Sequence, residues 1–253
     1  MSSNPIVVIT GGSRGLGRDT ALTLAKRNVD VIFTYHSNEA AAKETLADIE
    51  GAGAKGAFLQ LDTGNTSQFP AFITELKALL ADKWQGQPLT YLVNNAGTSL
   101  HVPMMAGTES QFDEAMNVHV KGVYFLTQAL VPMLCDGGAI VHISSGLTRV
   151  TIPESGIYAA MKGAVEVLSR YWAKELAERQ IRVNTLAPGA IATDFSGGMV
   201  RDNETVHNMV KSVTALGRVG QATDIGKAVA MLLSDDSGWI TGQRLEASGG
   251  LVL

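Results

Sequence analysis

One cysteine, Cys135, stands among 253 residues, and a lone thiol excludes an internal disulfide. Charge is also scarce, at 17% of positions against a usual share of about 25%. The 20 basic and 24 acidic residues leave a net charge of −4, and with no basic patch interleaved by aromatics a nucleic-acid partner is disfavoured. The histidines at 36, 101, 119, 142 and 207 show neither HExxH nor other ligand spacing, so no metal site is expected. No run approaches the ~20 apolar residues of a membrane span. Strand-like residues from Ile6 onward leave no room for a signal peptide. The expectation is a soluble, cytoplasmic protein.

What the chain does have is apolar sequence, 45% of positions, enough to rule out disorder. Glycine occupies 27 positions, above its usual share of about 7%. Short apolar runs at 6–10, 29–34, 57–61, 91–95, 139–143, 182–187 and 244–247 read as strands. Most are continuous rather than alternating, as strands covered on both faces are. Longer segments at 39–52, 67–81, 109–134 and 156–179 have the length of crossover helices. The β-α-β rhythm predicts one α/β domain over residues 1–253, a doubly wound parallel sheet of seven strands with helices on both faces. No linker, repeat or charge block divides it. The least regular stretch, about 189–213, is a candidate substrate loop.

TGGSRGLG, from Thr10 to Gly17, follows the first strand and opens a helix. That context suits a phosphate cradle: Gly11, Gly15 and Gly17 allow a tight turn and close backbone approach, and the helix N-terminus offers N–H donors to an anion. Ser13, Arg14 and Leu16 lie in the same loop. An NAD-selecting carboxylate is expected about 20 residues beyond the loop, where Tyr35, His36, Ser37 and Asn38 stand instead. Arg14 can supply positive charge to a 2′-phosphate, with Ser37 and Asn38 as neutral donors, so NADP(H) is favoured over NAD. Asp30 and Glu39 read as surface residues.

The glycine spacing, GxxxGxG, resembles the TGxxxGxG of the short-chain dehydrogenase/reductase family. NNAG at 94–97, YxxxK at 158–162, and Pro188-Gly189 followed by Thr193 extend the resemblance over essentially the whole chain. It implies a Rossmann fold and an oxidoreductase. It also implies that Asp62 and Thr63 line an adenine pocket, that Asn94 stabilises the strands, and that Asn95, Ala96 and Gly97 adjoin the cofactor. Pro188, Gly189, Ile191 and Thr193 would orient the nicotinamide. Family members are commonly tetramers, pairing the segments 109–134 and 156–179. Ser248 departs from the family's usual DGG ending.

Tyr158 and Lys162, four residues apart, share a helix face. A nearby ammonium would lower the phenol's pKa toward a value useful in acid/base work. Ser145, 13 residues before Tyr158, matches the family's catalytic serine and would hydrogen-bond the substrate carbonyl; Ser144 would support it. Asn117 matches the fourth member and would hold a water on Lys162. Together they imply NADPH-dependent interconversion of a ketone and a secondary alcohol. A 3-oxoacyl-thioester reductase is the main substrate alternative, and a non-catalytic nicotinamide-binding regulator the other class. Residues 98–104, 146–155 and 189–209 should form the substrate walls, with Leu100, Leu147, Val150, Ile152, Phe195 and Met199 apolar, and His101 and Arg149 polar. The apolar ending Leu251-Val252-Leu253 would suit burial against a neighbouring subunit.

Overall fold

Val7 and Ile9 point to one side of the first strand, Ile6 and Val8 to the other, and all four are fully buried. The same alternation in its neighbours feeds two separate cores, which is why these strands carry apolar residues without interruption. The computed structural model describes residues 4–253. Its elements run β1 (Ile6–Ile9), α1 (Gly15–Ala25), β2 (Asp30–Tyr35), α2 (Glu39–Gly51), β3 (Gly56–Gln60), α3 (Phe69–Trp84), β4 (Leu89–Asn94), α4 (Glu109–Met116), α5 (Gly122–Leu130), β5 (Leu134–Ile143), α6 (Gly156–Glu175), β6 (Arg182–Pro188), α7 (Met199–Asp202), α8 (Glu204–Ser212), α9 (Ala222–Leu233) and β7 (Arg244–Ala247). The strands form one sheet in the order β3-β2-β1-β4-β5-β6-β7, every neighbouring pair parallel.

Helices α1, α2 and α9 cover one face, packing Leu24, Ile49 and Val229 against Val7, Phe33 and Val141. Helices α3, α5 and α6 cover the other, packing Leu76, Leu126 and Trp172 around Ile32, Leu92 and Ile140. The strand order reverses between β1 and β4, and ligands of such sheets bind outside the carboxyl ends at that point.

Three expectations change. The segment 109–134 is not one helix: residues Asn117–Lys121 form a π-helical turn between α4 and α5, and β5 already begins at Leu134. Cys135 accordingly lies on a strand. The substrate segment is not an open loop, since it folds into a 3₁₀ turn at Phe195–Gly198 followed by α7 and α8. Asp30 is not a surface residue: it is 3% exposed and accepts hydrogen bonds from Trp84 Nε1 (2.8 Å), Lys55 N (3.0 Å) and Asn4 Nδ2 (3.1 Å). It fastens the amino ends of β2 and β3 to the end of α3. Asp30→Ala strands the buried indole N–H and a backbone N–H, and should lower the unfolding free energy by about 2 kcal/mol in urea titrations.

Candidate functional site

A single cleft of about 1040 Å³ runs across the carboxyl ends of the strands, from the glycine loop to the start of α6. At one end, Gly11 and Gly15 adopt left-handed backbone, with φ of +65° and +55°, which side chains with a Cβ resist. A Cβ on Gly11 would lie 3.0 Å from the Ala96 backbone, so the loop's shape depends on its glycines. Asn95 fixes the loop to β4, its Nδ2 donating to the carbonyls of Thr10 (2.9 Å) and Gly11 (3.0 Å). Arg14 is the N-cap of α1, but no side chain caps that helix. Its first N–H groups are therefore available to an anion in the cleft. Thr193 faces Gly15 across the opening. These features fit a dinucleotide.

Of the residues assigned from sequence, Gly11, Ser13, Arg14, Gly15, Leu16, Tyr35, His36, Asp62, Thr63, Asn95, Ala96, Gly97, Pro188, Gly189, Ile191 and Thr193 all line the cleft. Gly17, Ser37 and Asn38 are not part of its lining. Gly17 has a packing role, because a Cβ there would sit 2.2 Å from the Gly11 carbonyl oxygen. Asn38 spends its side chain capping α2, accepting from Ala41 N. Asn94 is buried beneath the cleft, its amide donating to Thr127 Oγ1 at 2.9 Å. Asp62 both lines the cleft and accepts from Gly64 N at 2.9 Å, a local turn bond. Arg14 is exposed and among the described residues makes no ion pair.

The other end gathers Asn117, Ser145, Tyr158 and Lys162. Lys162, 5% exposed, donates from Nζ to the Ile143 carbonyl at 2.8 Å and stands 5.7 Å from the Tyr158 ring centre. Burial pulls its ammonium down to about 8. The same burial pushes the Tyr158 phenol up to about 12, with the neighbouring Ser145 hydroxyl opposing. Against the lowering expected from sequence, burial of the phenolate is the first cause of a rise, and the Ser145 hydroxyl is what opposes it. Ser145 caps the 3₁₀ turn Gly146–Thr148, its Oγ accepting from Leu147 N. Ser144 turns away and donates to Glu166 Oε1 at 2.6 Å. Asn117 opens the π turn, whose closing N–H, from Gly122, donates to the Asn117 carbonyl. Only glycine fits at 122, since a Cβ would meet the Thr63 carbonyl oxygen at 1.9 Å. π turns of this kind are frequent at functional sites.

Besides Glu109, Asp113 and Glu114, which line the cleft, sequence reasoning missed two residues of interest. His119, 1% exposed, lies edge-on to Tyr158 with ring centres 5.2 Å apart. Leu251 joins the cleft wall. Nothing in the local pattern marked either one, although His119 lies two residues from Asn117. The apolar wall otherwise follows expectation through Leu100, Leu147, Val150, Ile152 and Phe195, but Val200 rather than Met199 faces in. Arg149 does not line the cleft. It binds Glu246 and the carbonyls of Leu251 and Val252 instead. His101 does line it, bridging Ser196 and Ser155.

A family model described as enoyl-(acyl carrier protein) reductase matches residues 11–252. The chain belongs to the short-chain dehydrogenase/reductase family. Among solved structures, the promiscuous reductase LugOII, which catalyses keto-reduction at C1 during lugdunomycin biosynthesis, superposes with a TM-score of 0.94 at 37% identity, covering 99% of each chain. The angucycline C-6 ketoreductase LanV with bound NADP gives 0.93 at 31%, over 98% of this chain and 95% of its own. Tetrahydroxynaphthalene reductase PfmaG of Pestalotiopsis fici is 34% identical across 97% of this chain and 90% of its own length.

His119 and His142 are both held down to about 3, first by burial and then by the Lys162 charge. Unfolded histidine titrates near 6.5, so the stability these groups contribute is present above about 6.5 and is lost as pH falls toward 3. Urea unfolding at pH 5 should give a free energy lower than at pH 7 by about 2 kcal/mol per histidine. His142→Phe should reduce that difference.

Proposed function

We propose that this oxidoreductase is an NADPH-dependent ketoreductase for medium-sized apolar ketones, with Tyr158 as its proton donor. The observation that carries the reading is the convergence of Asn117, Ser145, Tyr158 and Lys162 on one end of a cleft whose other end is the glycine loop. NADPH supplies the hydride that forms the new C–H bond at the carbonyl carbon. The loop's N–H groups and the α1 N-terminus hold the pyrophosphate. Arg14 meets the 2′-phosphate, while Pro188, Gly189, Ile191 and Thr193 orient the nicotinamide. The LanV structure's bound NADP supports this cofactor.

Ser145 donates to the carbonyl oxygen as negative charge grows there. Tyr158 transfers its proton to that oxygen, giving the secondary alcohol. A phenol raised by burial is protonated at neutral pH, which is the form the reducing direction needs. Lys162 holds ribose hydroxyls and, through a water on Asn117, returns a proton to Tyr158. The apolar wall, together with the angucycline and tetrahydroxynaphthalene named for LanV and PfmaG, favours a ketone that carries aromatic rings. A 3-oxoacyl thioester is the alternative substrate class.

A homotetramer is supported by two apolar exposed faces, one bearing Phe125 and Tyr171 on α5 and α6, the other bearing the fully exposed Trp239. A cytoplasmic setting suits the free Cys135. Among the described residues no helix is long and apolar enough to cross a membrane.

NADPH oxidation with a panel of ketones and acyl thioesters tests the reading. Ketones should turn over, and a preference confined to thioesters would refute it. Tyr158→Phe should keep its NADPH affinity while kcat falls at least about 100-fold. Arg14→Ala should raise KM for NADPH far more than for NADH, cutting the NADPH:NADH ratio of kcat/KM by roughly tenfold or more.

A further inference from the structure

Glu246 lies on the last strand and is largely buried, with 18% of its side chain exposed. Its carboxylate accepts from both Arg149 Nε (2.9 Å) and Arg149 Nη2 (2.6 Å), in a bidentate pair. Arg244 Nη1 donates to it at 3.0 Å and Ser248 Oγ at 2.7 Å. Arg149 also reaches the chain's last residues, donating to the carbonyls of Leu251 (2.6 Å) and Val252 (2.9 Å). Leu251 N donates to Ser248 Oγ, so the serine that departs from the family's usual DGG links the tail to Glu246. On its other side the tail is pinned behind α8, where Leu251 bridges Thr214 and Val252 N donates to the Val213 carbonyl. Held from both sides, Leu251 is 9% exposed and lines the same cleft as Leu147 and Val150. Val252 and Leu253 remain open to solvent.

We infer that Leu251 is a specificity-determining residue of the substrate pocket and that Arg149, braced by Glu246, is the positioning residue that presses it into the wall. This rests on the ketoreductase reading. An arginine serves here because its planar fork satisfies a carboxylate and two carbonyls at once, which a lysine ammonium does not. The same strut reaches the catalytic turn, since Arg244 also bonds Glu166 (2.8 Å) and the Ser145 carbonyl (3.3 Å). The wall and the serine are thus fixed to one frame, which meets at Glu246.

Three variants, Leu251→Ala, Arg149→Met and the double variant, test this with one small and one bulky ketone. Removing the wall, or its hold, should raise the bulky-to-small ratio of kcat/KM by roughly tenfold, the scale at which a few methylenes discriminate. The change should fall on KM for the bulky ketone, with NADPH affinity unchanged. The double variant should match Leu251→Ala alone, because both changes act through one contact. If Arg149→Met fails to fold, Leu251→Ala carries the test. An unaltered ratio in folded, active Leu251→Ala overturns the inference and leaves the ketoreductase reading standing. A wild-type enzyme that reduces no ketone while binding NADPH overturns both.

Discussion

The bond from the Lys162 ammonium to the Ile143 carbonyl sets the register on which the chemistry depends. It ties α6 to the carboxyl end of β5 at one point. Ser145 lies two residues beyond the acceptor, on the same side of the extended chain, and Tyr158 lies one helical turn before the donor. The distance between the Ser145 hydroxyl and the helix-borne phenol is therefore set by this contact together with the bonds of Ser144 and Thr148 to Glu166 on the same helix. The ammonium also governs its surroundings: its charge adds to burial in keeping His119 and His142 neutral. The interior behind the cleft holds one cation, with two imidazoles beside it kept neutral by burial first and by its charge second.

The parts of the molecule visible in its sequence are those whose cause is local. The seven strands showed as apolar runs because both faces are covered, and the glycine loop showed because its φ angles and close approaches demand residues without a Cβ. Tyr158 and Lys162 showed because four residues make a turn. What stayed hidden depends on partners far along the chain. Asp30 reads as a strand-edge surface residue until Trp84, 54 positions later, delivers an indole N–H to it. Arg149 reads as a polar pocket residue until Glu246, 97 positions away, claims it. The phenol's raised pKa was equally hidden, since the sequence shows the neighbouring lysine but not the depth of burial.

Low charge and concentrated charge are two sides of one design. With few ionic residues to distribute, the chain groups Arg149, Glu246, Arg244 and Glu166 into one alternating set, in which each carboxylate serves several donors. Arg149 holds Glu246 at about 2, so this carboxylate stays ionised at neutral pH. Isolated surface pairs contribute little, whereas a shared set also fixes direction: it orients the turn after β5, the last strand and the tail against one another.

The π turn at Asn117–Lys121 has a consequence for how the gene can change. An α-turn closes four residues back, whereas the Gly122 N–H closes five back on the Asn117 carbonyl, so the turn holds one residue more than an α-helix would. With that residue in place, Asp113, Glu114 and Asn117 line the cleft while Gly122 fits against the Thr63 carbonyl. This helix is partly exposed and would ordinarily tolerate insertion or deletion as well as any surface element. Here its length is set at both ends, at Asn117 by the cleft and at Gly122 by the Thr63 carbonyl.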